Sequence, residues 1–111
     1  MTDIINKADN FILELFKKNL PNTFIYHNYN HTQSDVKSTK ELIENSELNV
    51  KEEQALLLAA LFHDTGYTVK FDGHEEESIK IAKDFLSRNQ VADDVIEMVE
   101  ECIGATKFSS T

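Results

Sequence analysis

Apolar residues recur at three- and four-residue intervals over most of the chain, the spacing of helices with one buried face. With only three glycines and one proline, the sequence lacks the turn residues of a sheet-based domain. The pattern therefore predicts an all-α fold, a compact bundle of about five helices. The predicted helices run from about Asp3 to Asn19, from near Tyr29 to Asn45, from Asn49 to the His63-Asp64 pair, from Gly73 to about Asn89, and from Ala92 to about Ala105.

The third predicted helix differs from the others because the run from Ala55 to Phe62 is apolar on every side. A helix of this kind must be surrounded by other elements, so we expect it to be central. Asn49 followed three residues later by Glu52 is a typical helix start. The flanking segments, residues 22–28 and 66–72, are predicted connections, with Gly66 permitting a sharp chain reversal.

Length, charge and cysteine content narrow the class of protein. The 111 residues suffice for one core, so we expect a single domain over residues 1–111. A net charge of -9, with acids and bases interspersed, argues against a broad nucleic-acid surface. No apolar run approaches a membrane span and no signal segment opens the chain, so we expect a cytoplasmic protein. The single cysteine, Cys102, has no intrachain partner and is predicted to be a core residue.

The adjacent His63 and Asp64 are the first candidate for chemistry. A carboxylate at the end of a buried helix needs a cation or several donors to offset its desolvation. Imidazole and carboxylate together suit a divalent metal ion such as manganese, iron, cobalt or nickel, with magnesium or zinc also compatible. Taken alone, the pair equally fits a helix C-terminus, with the histidine at the negative end of the dipole and the aspartate starting a turn.

Three further segments widen the pattern, namely Tyr26-His27-Asn28-Tyr29-Asn30-His31-Thr32, Gly73-His74-Glu75 and Cys102-Ile103-Gly104-Ala105-Thr106. Their order and spacing resemble the HD superfamily of metal-dependent phosphohydrolases, from about Tyr26 to Thr106. The Tyr-His-Asn-x-x-His segment is also similar to the signature of cyclic-nucleotide phosphodiesterases.

The resemblance implies roles for particular residues. His31, His63 and Asp64 would be metal ligands. Asp64 would also be a catalytic residue, and it would bridge if two metals bind. His27 would be a catalytic residue that protonates the leaving oxygen, although a loop histidine bonded to backbone is the plainer interpretation. His74 would bind a second metal or phosphate, unless it is a solvent-facing histidine at a helix start. Lys70 and Lys107 would meet phosphate oxygens or are ordinary surface lysines.

The sequence departs from this family at one point, because members complete the metal shell with a later aspartate and none follows Asp94. We expect a C-terminally truncated domain that lacks the last helices, with exposed apolar surface that favours a homo-oligomer. The alternatives are that a water or a partner subunit takes the place of this aspartate, or that the site has lost catalytic competence. The leading hypothesis is a phosphohydrolase that uses metal-activated water on a nucleotide or other small phosphomonoester or diester. The alternatives are a non-catalytic metal- or nucleotide-binding module and an iron-dependent oxygenase.

Overall fold

The computed structural model describes residues 2–69 and 73–105 of the chain. This part contains five α-helices, one short 3₁₀ turn and no strand, so the predicted all-α fold is confirmed. The helices are α1 (Thr2–Asn19), α2 (Asn22–Glu44), α3 (Val50–Phe62), α4 (His74–Arg88) and α5 (Asp93–Ala105), and the 3₁₀ turn is Thr65–Thr68. None of the helices in these two stretches combines the length and apolar character needed to cross a membrane.

Helix α3 is the centre of the bundle, as its composition predicts. Every residue from Leu57 to Phe62 is buried, and α3 contacts each of the other four helices. Its start is the predicted cap: the Asn49 side chain accepts a hydrogen bond from the Glu52 amide at 2.8 Å, and the Glu52 carboxylate accepts one from the Asn49 amide at 3.0 Å. Because burying one leucine contributes roughly 1.5–3 kcal/mol, this helix supplies much of the core's stabilisation.

The predicted connection over residues 22–28 is wrong, because this segment is the first part of α2. Pro21 has the extended backbone of an N-cap residue, and the helix starts directly after it. The buried stripe of α2 begins at Ile25 and continues through Thr32, Val36 and Thr39, so burial outweighs the turn-forming composition around it. His27 and His31 are therefore one turn apart on a single helix.

A partly buried hydrogen-bond network fixes α2 against α1. The Asp9 carboxylate accepts bonds from the Tyr29 hydroxyl at 3.0 Å and from the Gln33 amide at 2.6 Å. Burial, reinforced by the bond to Asp9 and its negative charge, raises the pKa of Tyr29 to about 12. Since a helix turns by about 100° per residue, His31, two positions beyond Tyr29, faces away from α1.

The predicted fourth and fifth helices are present as α4 and α5, and both pack on α3. Gly73 precedes α4 with φ 75°, a left-handed conformation that favours glycine. Cys102 is half-buried against the hydrophobic core, as predicted, and burial with the nearby charge of Glu101 raises the pKa of its thiol. The end of α3 and the 3₁₀ turn after it lie close to α4.

Candidate metal centre

Four side chains converge where the middle of α2 passes the C-terminal end of α3. Helix α2 supplies His31 and Asp35, four residues apart on one face. The residues directly after α3 supply His63 and Asp64. One nitrogen or oxygen atom from each of the four lies within 4.8 Å of the other three. We call these four residues the metal-site cluster.

The carboxylate oxygens of the cluster lie between the two imidazoles. Asp35 Oδ2 is 3.0 Å from His63 Nε2 and 3.4 Å from His31 Nε2. Asp64 Oδ2 is 3.3 Å from His63 Nε2 and 3.4 Å from His31 Nε2. All four groups can donate electron pairs, and such donors repel one another unless a cation or proton lies among them. The arrangement therefore fits a cation.

The tautomer of His63 follows from its second ring nitrogen. His63 Nδ1 lies 2.7 Å from the carbonyl oxygen of Ala60, and since a carbonyl only accepts, Nδ1 carries the hydrogen. In the neutral ring, Nε2 then carries a lone pair on the side where Asp35 and Asp64 lie. A backbone bond to the distal nitrogen is the usual way a metal-binding histidine is oriented.

Burial divides the cluster into a closed side and an open side. The side chains of His63 and Asp64 are each 5% exposed, whereas those of Asp35 and His31 are 20% and 45% exposed. Desolvation of the Asp64 carboxylate at this depth requires a compensating positive charge or several donors. Substrate access to a bound ion would be from the α2 side, past His31.

Asp35 is the member of the cluster that the sequence reasoning missed. Its Oδ2 atom is buried and accepts no hydrogen bond in the part of the chain described. The signal available in the sequence was the His31–Asp35 spacing of four, which puts both side chains on one face of a helix. The resemblance instead points to a carboxylate near the end of the chain, beyond Ala105.

The structure places the other predicted site residues outside this group. His27 is exposed, one turn before His31 on α2, and so is not the loop histidine of the plainer interpretation. His74 begins α4, where its ring stacks on Tyr67 with centroids 3.9 Å apart and its Nδ1 lies 3.6 Å from Glu75. The His74 side chain is 18% exposed, so it does not face solvent fully either.

Tyr67 stacks on His74 and is close enough to Asp64 to interact with its charge. Burial raises the pKa of Tyr67, and the negative charges of Asp64 and Glu75 raise it further. The phenol therefore stays neutral near the cluster and can donate a hydrogen bond at neutral pH. Lys70 and Lys107, the predicted phosphate contacts, lie outside the described residues.

A helical bundle that gathers two histidines and two aspartates around one point has the side chains of a candidate metal-binding domain. The family model of the HD domain matches residues 28–107, a span that includes the whole cluster. This match covers well over half of the chain, so the protein belongs to the HD domain family. The match does not bear on the phosphodiesterase-like segment, which begins before it. Comparisons with curated proteins and with solved structures find no match.

The residues present fit the divalent metal that this family implies. Two imidazoles and two carboxylates are ligands that manganese, iron, cobalt, nickel and zinc accept, and the two carboxylates balance a charge of two. The His63 tautomer and the buried Asp35 oxygen both suit coordination.

Proposed function

We propose that this protein is a metal-dependent phosphohydrolase that acts on a nucleotide or another small phosphomonoester or diester. The observation that carries the proposal is the convergence of His31, Asp35, His63 and Asp64 within 4.8 Å in an HD-family fold. A divalent cation held by these four side chains would supply Lewis acidity, which activates water and polarises a phosphoryl group.

The chain's own residues divide the remaining work by position. His63 and Asp64 form the closed side, where burial keeps bulk water away from their ligand atoms. His31 lies on the open side, where phosphate would enter. Asp35 supplies the second carboxylate from the same helix as His31, in place of the later aspartate that the resemblance leads one to expect.

His27 is the proposed proton donor to the leaving oxygen. It is exposed and lies one turn from His31 on α2, so it faces the open side of the cluster. An imidazole is suited to general acid catalysis near neutral pH because its ordinary pKa is about 6.5. Replacing His27 with glutamine should lower kcat most for substrates with poor leaving groups.

The test begins with elemental mass spectrometry on protein purified without chelator or a nickel affinity step. Wild type and Asp94→Ala, which changes an exposed aspartate on α5, should carry near-stoichiometric metal, and Asp64→Ala should not. These three proteins and a fourth, the single variant His63→Ala, are then assayed against nucleotides and simple phosphate mono- and diesters. Each assay is run with manganese, iron, cobalt, nickel, magnesium or zinc.

Turnover that is lost in both His63→Ala and Asp64→Ala would support hydrolysis at this cluster. Turnover that survives both substitutions would reject it. Stoichiometric metal without turnover of any phosphoester would instead favour a non-catalytic binding module, and oxygen consumption that requires ferrous iron would favour an oxygenase.

A further inference from the structure

The hydroxyl of Ser78, on α4, joins two backbone groups on either side of Asp64. It donates a hydrogen bond to the carbonyl oxygen of His63 at 2.7 Å and accepts one from the amide of Gly66 at 2.8 Å. The Ser78 side chain is completely buried. One side chain from another helix therefore fixes the main chain that carries the buried half of the metal-site cluster.

This arrangement is unusual for a serine inside a helix. Such a hydroxyl commonly bonds to a carbonyl one turn back in its own helix. Ser78 instead bonds across to residues 12 and 15 positions earlier. Carbonyl groups at the C-terminal end of a helix accept no bond from within it, and Ser78 donates to the carbonyl of His63, the residue that follows α3.

The same two segments also approach each other closely at Gly66. A Cβ atom added to Gly66 would lie 1.9 Å from the carbonyl oxygen of His74 and 2.8 Å from Ser78 Oγ. Gly66 is not among the described residues with positive φ, so glycine is required here by the close approach and not by its backbone conformation. The first turn of α4 therefore lies directly on the backbone after Asp64.

We propose that Ser78 is a positioning residue for the metal centre: by fixing the His63 carbonyl and the Gly66 amide, it holds His63 and Asp64 in the geometry that binds the ion. The inference deepens the proposed function and rests on it. Ser78 does not touch the ion or the substrate, and it acts only through the backbone of the two ligands.

The test compares Ser78→Ala with Val99→Ala, which truncates a fully buried side chain on α5, a helix that carries no member of the cluster. Cobalt(II) is titrated into each folded protein. Calorimetry measures the affinity, and the visible absorption bands of the bound ion report its coordination geometry. Ser78→Ala should bind cobalt roughly 10- to 100-fold more weakly, the usual effect of losing a group that orients a metal ligand. Its absorption bands should shift, whereas Val99→Ala should keep wild-type affinity and spectrum.

A metal-independent measurement accompanies the titration. In metal-free protein, the amides of residues 64–67 should exchange with deuterium at least tenfold faster in Ser78→Ala than in wild type, and Val99→Ala should not show this local change. If Ser78→Ala does not fold, Ser78→Cys gives the same comparison, because its thiol has a similar size and is only a weak hydrogen-bond donor.

The outcomes separate this inference from the proposed function. Wild-type cobalt affinity and an unchanged spectrum in Ser78→Ala, or in Ser78→Cys where that variant is used, would overturn the positioning role and leave the metal site intact. A wild-type protein that binds no metal would overturn both, even if the local exchange changed, since Ser78 would then be a helix cap alone.

Discussion

Replacing Asp35 with asparagine should change metal binding and metal-free stability in opposite directions. The substitution keeps the shape of the side chain and removes its charge. In metal-free protein, the Asp35 and Asp64 carboxylates lie within 4.8 Å of each other. Two unit charges at that distance repel by about 3 kcal/mol at an effective dielectric constant of about 20. Because the Asp35 side chain is 20% exposed, solvent screening reduces this value, and we expect a net gain of about 1–2 kcal/mol.

Thermal unfolding followed by circular dichroism measures the first effect. The measurement is made at pH 8 with EDTA, so that no metal is bound to the cluster. Each kcal/mol corresponds to a rise in Tm of roughly 4–8 °C in a domain near this size. Asp84→Asn is the matched control, because it neutralises an exposed aspartate on α4 that pairs with Arg88, and it should change stability by less than about 0.5 kcal/mol.

Calorimetric titration with manganese or cobalt measures the second effect. Asp35→Asn removes a proposed ligand, so it should weaken binding by at least the roughly 10- to 100-fold that loss of an outer-shell partner costs. An Asp35→Asn protein that is less stable than wild type without metal, and that binds metal as tightly as wild type, would refute this account of the cluster.

Three further predictions concern the metal, the tight turn and the α1–α2 network. Removing metal with a chelator should lower stability by about 2.7 kcal/mol relative to protein at a free metal concentration of 100 Kd, measured as a fall in Tm that Asp64→Ala does not show. Gly66→Ala should destabilise by about 1–3 kcal/mol in urea unfolding, because its Cβ would lie 1.9 Å from the His74 carbonyl oxygen; wild-type stability would contradict that contact. The raised pKa of Tyr29, about 12 when folded, means that the unfolded chain loses this proton first, so the stabilisation is complete below pH 10 and is lost as pH rises towards 12. The stability difference between wild type and Tyr29→Phe should therefore fall over this range by about 1 kcal/mol, with about 2.7 kcal/mol as the upper limit, and a constant difference would refute it.

The parts of the fold that follow from hydrophobic spacing could be predicted from the sequence. The apolar run in α3 and the Asn49 cap specify a central helix and its start, because burial and capping there act in the same direction. The start of α2 was missed because Asn22 and Asn28 are turn-forming residues, whereas the buried stripe that begins at Ile25 decides the structure. Local composition was a weaker determinant there than tertiary packing.

The candidate site was predictable only where a resemblance supplied the residues. His31, His63 and Asp64 come together in space, although no local property of the sequence connects residue 31 with residue 63. Asp35 was not predicted because the order of ligands in the family places the last aspartate later in the chain, whereas the geometry of α2 brings Asp35 next to His31. Gly66 was assigned to a chain reversal, and the structure shows instead a close approach between two backbones, which depends on the packing of α4.

The continuity of α2 has a consequence for the size of the substrate. His27 stands on a regular helix of 23 residues, so the spacing between its side chain and that of His31, about 5–6 Å between Cβ atoms, is set by the helix itself. Under the proposed function, no loop movement would bring His27 closer to the ligands on α2, so only side-chain rotation would change this distance. A phosphoester would react well only if its phosphorus and leaving oxygen together span this narrow range of distances.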